Sequence, residues 1–361
     1  MRRLADAIVD VHPAFPVRRF VTRASRGLDQ LQLLERARHI TTTLAASLPA
    51  DYPSALDVLL RSLGDGHDRD ELLGTGMAPF FYLPHVTYVM THGLDHFDLS
   101  MQAQYELTKR FTAEFSIRPF IARDPERVFT WLQRWASDSD AHVRRLVSEG
   151  TRLRLPWATR VGWLDAHPER IIALLELLKD DPSSMVRRSV ANNLNDIGKV
   201  RPDLLVSTAA AWLADATPER RALVEHALRS AVKRGDPEAL RLLGYGRRPA
   251  VVLEAVTFTP PRVRIGGRVT VQFTLRNTLR TPQPVLVDAA VHFVKARGQT
   301  SAKVFKVARA TLDPRDARVF RTSVSLAVHT TRVPRPGTHP VDILVNGVAM
   351  PAGAFVVLPS H

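Results

Sequence analysis

The chain has 361 residues and no cysteine, which excludes disulfides, thiol catalysis and thiolate metal sites. It carries 50 Lys+Arg against 36 Asp+Glu, a net charge of +14 and a pI near 10.8, and such a protein favours polyanions, of which nucleic acid is the commonest. No apolar run reaches the roughly 18 residues of a membrane span, and the first ten positions carry charges where a signal peptide needs apolar residues, so a soluble, cytoplasmic, nucleoid-associated protein is expected.

Residues 1 to 246 read as helical. Apolar residues recur at helical spacing, as in Val143, Leu146, Val147 and Gly150, and again in Val186, Val190, Leu194 and Ile197. Asp124-Pro-Glu-Arg-Val128 and His167-Pro-Glu-Arg-Ile171 lie 43 residues apart, and each opens a helix with proline in the first turn. Asp181-Pro182 and Asp215 to Glu219 continue that series. A second pattern pairs two basic residues with a polar one four positions later: Lys109-Arg110 with Glu114, Arg144-Arg145 with Glu149, Arg187-Arg188 with Asn192. Its copies begin 35 and then 43 residues apart, the signature of a helical solenoid of the HEAT or armadillo kind. In such a stack Arg144 should lie over Arg187, and Glu149 over Asn192.

Gly244 to Pro249 reads as a linker, and beyond it the apolar period changes to two. Strands are expected at 251–258, 268–276, 284–295, 303–312, 317–326, 337–346 and 355–358, with turns at Gly266-Gly267, Asp313-Pro314 and Asn346-Gly347. Seven short strands suggest an immunoglobulin-like sandwich over 250–361, following an all-α repeat domain over 1–246. From Ala250 onward there are 15 basic and 5 acidic residues, leaving 35 and 31 for the helical part, so the excess charge is concentrated in the sandwich.

The sequence has no P-loop, no His-Glu-x-x-His and no nucleophile elbow. His85, His92 and His96 come nearest to a ligand set, and ordinary surface or core histidines account for them, so no metal or cofactor is expected. What remains is carboxylates among cations. Glu114 has Arg110 four before and Arg118 four after; Glu149 has Arg145 four before and Arg152 three after. Each could be an ordinary helix ion pair worth a few tenths of a kcal/mol. Asp196 precedes a helix stop at Gly198, so it opposes the negative end of its helix; Lys199 or Arg201 could neutralise it, or it could serve a site. Trp157 ends the basic loop Arg152-Leu-Arg154-Leu-Pro-Trp and could pack or stack on a sugar or base, whereas Trp163 and Trp212 read as core.

At these residues the chain resembles a known family. E-F-S-I-R-P-F, V-R-R-L-V-S-E-G-T-R-L-R-L-P-W-A and V-A-N-N-L-N-D-I-G-K are similar to the AlkC branch of the HEAT-repeat alkylpurine DNA glycosylases, as are Val-His-Pro-Ala-Phe near the start and Lys303-Val-Phe-Lys306. The likeness spans nearly the whole chain; Leu153 departs from an expected proline in the R-P-R-L-P-W loop. It implies excision of cationic alkylated bases, notably 3-methyladenine and 3-methylcytosine, from double-stranded DNA without base flipping, and it places Glu114, Glu149, Trp157 and Asp196 at the active site. Arg144, Arg145, Arg152, Arg154, Arg187, Arg188 and Lys199 are then expected to hold phosphates, and Lys295, Arg297, Lys303 and Lys306 to give the sandwich its grip on DNA. The protein is expected to act as a monomer without an obligate protein partner. The rival reading is a non-enzymatic helical scaffold that binds DNA structures or proteins.

Overall fold

The computed structural model describes residues 1–65, 78–246, 248–295, 298–328 and 333–359. Among them, helices run in the order α1 (Arg2–Val11), α2 (Val17–Ser25), α3 (Leu33–Ala45), α4 (Tyr52–Arg61), α5 (Leu83–His92), α6 (Phe97–Thr108), α7 (Ile117–Arg123) and α8 (Pro125–Trp135). They continue as α9 (Ala141–Gly150), α10 (Gly162–Ala166), α11 (Pro168–Leu178), α12 (Ser184–Ile197), α13 (Pro202–Leu213), α14 (Pro218–Lys233) and α15 (Pro237–Leu242). No described helix is long and apolar enough to cross a membrane.

Local chemistry sets these helix starts. Proline occupies the first turn of α8, α11, α13 and α15, where its missing N–H costs nothing. Asp124 caps α8 through the Arg127 N–H, and Asp140 caps α9 through the N–H groups of His142 and Val143. Asp181-Pro182 departs from the expected series: Ser183 is the N-cap of α12, so Pro182 lies outside the helix. The predicted apolar faces are the core. Val143, Leu146 and Val147 of α9 and Val186, Val190, Leu194 and Ile197 of α12 are fully buried, each contributing about 1.5–3 kcal/mol.

The 43-residue period appears as a repeated arginine clamp. Arg144 Nη1 donates to the carbonyls of Asp138 and Ser139, and Arg187 Nη1 donates to those of Asp181 and Pro182, the same positions one repeat later. Asp181 also receives the Arg144 guanidinium on its carboxylate, at 2.6 and 3.0 Å, and so joins the two repeats. The expected third copy fails. Lys109 and Arg110 lie in the turn after α6 and both bind Glu106, while Glu114 sits between α6 and α7 rather than on a helix.

The chain packs as two units, Met1–Ala227 and Leu228–His361. The first is a helical repeat region. The second holds the end of α14, α15 and an immunoglobulin-like pair of sheets. Its strands are β1 (Val251–Thr259), β2 (Arg262–Arg264), β3 (Arg268–Asn277), β4 (Gln283–Val294), β5 (Thr300–Leu312), β6 (Ala317–Ser325), β7 (Gly337–Val345) and β8 (Val348–Leu358). One sheet has the order β1-β3-β6, the other β2-β8-β7-β4-β5. Alternate residues of β3 (Val269, Val271, Phe273, Leu275) meet Val285, Val287, Ala289 and Val291 of β4, and this apolar layer does the work of an inter-sheet disulfide. The last strand is longer than its sequence pattern suggests. Asn346 (φ 49°) and Gly347 (φ 77°) form a tight left-handed turn, so β8 pairs with β7 from Val348 onward. Short β2, parallel to the end of β8, is an addition to the seven strands that the sequence pattern predicts.

Candidate active site

Three acids from separate parts of the first unit converge on two arginines. Glu114 comes from the turn before α7, Glu149 from the end of α9 and Asp196 from the end of α12. Arg145 Nη2 donates to Glu114 Oε2 at 3.1 Å and lies 4.0 Å from Glu149 Oε1. Arg152 Nη1 donates to Glu149 Oε2 at 3.1 Å, and its Nε and Nη2 both reach Asp196 Oδ2 at 2.9 Å. Lys199 Nζ closes the row on Asp196 Oδ1 at 2.8 Å. The result is an alternating chain, Glu114–Arg145–Glu149–Arg152–Asp196–Lys199.

Burial separates this row from surface ion pairs. The side chains of Glu149 and Asp196 are only 6% and 1% exposed, and Arg152 is 12% exposed. Buried carboxylates are expensive unless cations are in contact with them, and here every acid has at least one. Arg152 is held above its usual range, because Glu149 and Asp196 outweigh the burial that opposes its charge. Glu114 shifts upward, chiefly through burial, with Arg145 opposing and the Glu149 charge adding to the shift. The three acids also differ in free lone pairs. Both oxygens of Asp196 are taken, whereas Glu114 Oε2 receives Arg145 and Thr112 Oγ1 and Oε1 has no donor among the described residues. Of the two neutralising cations considered for Asp196, Lys199 is the one used; Arg201 binds Asp203 and Glu169.

The loop after α9 is held from beneath by a residue whose role sequence reasoning missed. Arg118, 2% exposed, does not pair with Glu114 through a helix turn. Its Nε donates to the Thr159 carbonyl at 2.9 Å, and its Nη1 to the carbonyls of Gly150 and Arg152 at 3.0 and 2.9 Å. Burial without a contacting carboxylate lowers its pKa to about 10. The arginine of E-F-S-I-R-P-F was visible, but its target lies more than 30 residues away, beyond the reach of a spacing argument. This clasp presents Trp157, 71% exposed and with φ at 64°. A non-glycine residue in that left-handed region is strained by about 1–2 kcal/mol. Trp157 lines a cleft with Phe115, Ser116, Leu83, Met90 and Arg38, so it borders the turn that carries Glu114. Trp212 is core, as expected, while Trp163 is half-buried and stacks on His167. Leu153 is 3% exposed, so the residue standing where proline was expected anchors the loop by packing.

The expected phosphate contacts divide into distinct groups. Arg144 is 13% exposed and committed to Asp181 and two carbonyls, which makes it a clamp between repeats rather than an open cation. Arg145 and Arg152 bridge acids, and Arg154 binds Asp165 at 2.8 Å. Arg187 is half-buried on its carbonyls, and Arg188 is exposed. In the second unit Lys295 follows β4 and Lys303 and Lys306 are exposed on β5, so they share one hairpin; Arg297 lies outside the described residues. Among the described residues no group of three or more His, Asp or Glu is arranged to hold a metal ion. His85 is 1% exposed against Phe81 and Tyr82, and His96 stacks on Tyr52.

Residues 252–359 match the family model described as "Uncharacterised protein YhaZ, C-terminal Ig-like domain". Over 341 residues the chain is 35% identical to YhaZ of Bacillus subtilis (strain 168), covering 93% of this chain and 90% of that protein. The solved structure of Pseudomonas fluorescens alkylpurine DNA glycosylase AlkC, bound to DNA containing an abasic site analog, aligns with a TM-score of 0.90 at 36% identity. That alignment covers 98% of this chain and 96% of the AlkC chain, so the likeness takes in both units. The chain therefore belongs to the family that contains YhaZ and the glycosylase AlkC.

Proposed function

We propose that this protein is a DNA glycosylase that removes cationic N-alkylated bases such as 3-methyladenine and 3-methylcytosine from duplex DNA. The observation that carries this reading is the buried row of three carboxylates beside an exposed, strained tryptophan. A base alkylated on a ring nitrogen is already a good leaving group. Breaking the C1′–N bond sends its electron pair to the base, which becomes neutral, and leaves an oxocarbenium-like sugar. Preorganised carboxylates stabilise that cation, and an aromatic face adds to the effect. Water then bonds to C1′ and gives its proton to a carboxylate.

The acids have different parts in this scheme. Asp196, with both oxygens held by Arg152 and Lys199, is a fixed negative charge for the sugar cation. Glu114, with one oxygen open and its pKa raised, is the better proton acceptor for water. Glu149 supports both by holding Arg145 and Arg152 between them. Reaching the sugar from the backbone side would let the base stay stacked, which avoids an unstacking cost of a few kcal/mol. The protein would act as a cytoplasmic monomer, with Lys303 and Lys306 adding backbone contacts from the sandwich.

The test is release of 3-methyladenine and 3-methylcytosine from methylated duplex DNA by wild type, Asp196→Asn and Glu114→Gln. Both variants should lose at least tenfold in single-turnover rate. Wild type that binds DNA but releases no base would defeat this reading in favour of a scaffold.

A further inference from the structure

The amino-terminal helices carry a basic face that the row of acids does not use. Helix α2 has the sequence V-R-R-F-V-T-R-A-S, with no acidic residue. Phe20 and Ala24 bury one side of it. Arg18, Arg19 and Arg23, with Arg26 just past the helix end, are exposed, and at 100° per residue they fall within an arc of about 140° opposite that side. None of these four side chains has an ion pair or a hydrogen bond among the described residues. The acids on adjoining segments are directed elsewhere: Glu35 accepts from the Gln32 N–H, and Asp6, Asp10 and Asp29 make no ion pair with α2.

Several arginines elsewhere in the same unit are paired instead. Arg61 binds Asp57, Arg127 binds Asp98, Arg170 binds Glu126 and Arg201 binds Asp203 and Glu169. A face that served only solubility would tolerate such pairing. Four unpaired guanidiniums on one side of a short helix instead form a surface complementary to a row of phosphates. Helix α2 is linked to the candidate active site through α3. His39 Nε2 lies 3.1 Å from the Arg23 carbonyl, so the last turn of α2 touches α3, the helix that also carries Arg38 of the cleft shared by Phe115 and Trp157.

We infer that α2 is a second DNA-backbone contact, in which Arg18, Arg19, Arg23 and Arg26 hold phosphates of the duplex outside the nucleotide being cut. This rests on the DNA reading of the site but not on its chemistry. The experiment measures equilibrium binding to an undamaged duplex as a function of salt for wild type, the triple variant Arg18→Gln/Arg19→Gln/Arg23→Gln, its lysine counterpart and Arg61→Gln. Every phosphate left without its cation makes the slope of log K against log[salt] shallower by about 0.9, so the glutamine variant should fall short of wild type by about 2–3. The lysine variant and Arg61→Gln should keep the wild-type slope. An unchanged slope in the glutamine variant overturns the inference. So does an equal loss in the lysine variant, because that would trace the effect to the fold rather than to charge. If wild type releases no base but the glutamine slope still falls, the glycosylase reading fails and this surface stands. A normal rate of base release with an unchanged slope has the opposite meaning.

Discussion

Arg152 is the residue on which the candidate site most depends, and Arg152→Met is the sharpest test of its electrostatics. In wild type the guanidinium touches Glu149 at 3.1 Å and Asp196 at 2.9 Å, and all three side chains are at least 88% buried. Methionine keeps much of the volume and removes the charge. Asp196 then retains Lys199 alone, and Glu149 retains only Arg145 at 4.0 Å. Removing one partner of a buried ion pair costs about 3–5 kcal/mol, a large share of the 5–15 kcal/mol by which domains are stable. Urea melts at pH 7.5 should show a loss of that size. The sign of its pH dependence follows from protonation. An uncompensated buried carboxylate binds a proton in the folded state more readily than in the unfolded state, so the penalty is present at neutral pH and shrinks as pH falls toward 5. Asp196→Asn added to Arg152→Met should recover part of the loss by removing one buried charge that has lost a partner, which gives a measurable coupling energy. If Arg152→Met melts within about 1 kcal/mol of wild type at pH 7.5, or if the difference is the same at pH 5, the three acids are not held by this cation and the reasoning fails.

Four further outcomes are expected. Trp157→Gly should raise stability by about 1 kcal/mol, because glycine relieves the left-handed strain and little buried area is lost, while base release falls; a destabilised, fully active variant would show that the residue only packs. The acid limb of the pH–rate profile should lie above the ordinary carboxylate range, because Glu114 must be ionised to accept a proton and burial has raised its pKa; Glu114→Gln should abolish that limb. Burial lowers His85 to about 4, so the unfolded chain binds the extra proton first, and up to roughly 3 kcal/mol of stability should be lost as pH falls from about 6.5 through 4. His85→Phe should flatten that part of the stability curve. Arg118→Lys keeps the charge but cannot span three carbonyls, so it should speed hydrogen exchange in residues 150–159 and slow base release, with the far-UV spectrum unchanged.

Much of the architecture could be read in advance because it depends on short-range chemistry. Proline in the first turn, aspartate caps and apolar residues at helical spacing determine where α8, α9, α11 and α12 form, and a period of two marks the sandwich strands. The 43-residue period was visible because one arginine clamp is used twice, at Arg144 and at Arg187. The same pattern misled at Lys109-Arg110, where a basic pair followed by Glu114 imitates the repeat although the chain there is a turn. Only the described strand register reveals that β8 begins at Val348, since its alternation is weakened by Pro351 and Gly353.

For the site, the sequence by itself determined which residue types are available: three acids among arginines, a loop tryptophan and no cysteine. It could not determine which cation serves which acid. Glu114 and Arg145 are 31 residues apart, and Arg152 and Asp196 are 44 apart, so their contacts exist only because α9 packs between α12 and the turn before α7. Spacing favoured local pairs, such as Arg110 or Arg118 with Glu114, because helical geometry is all that sequence supplies. Tertiary packing placed the charges where little water reaches them. There a buried carboxylate must find its cation or bear several kcal/mol, and that requirement selected the row from Glu114 to Lys199.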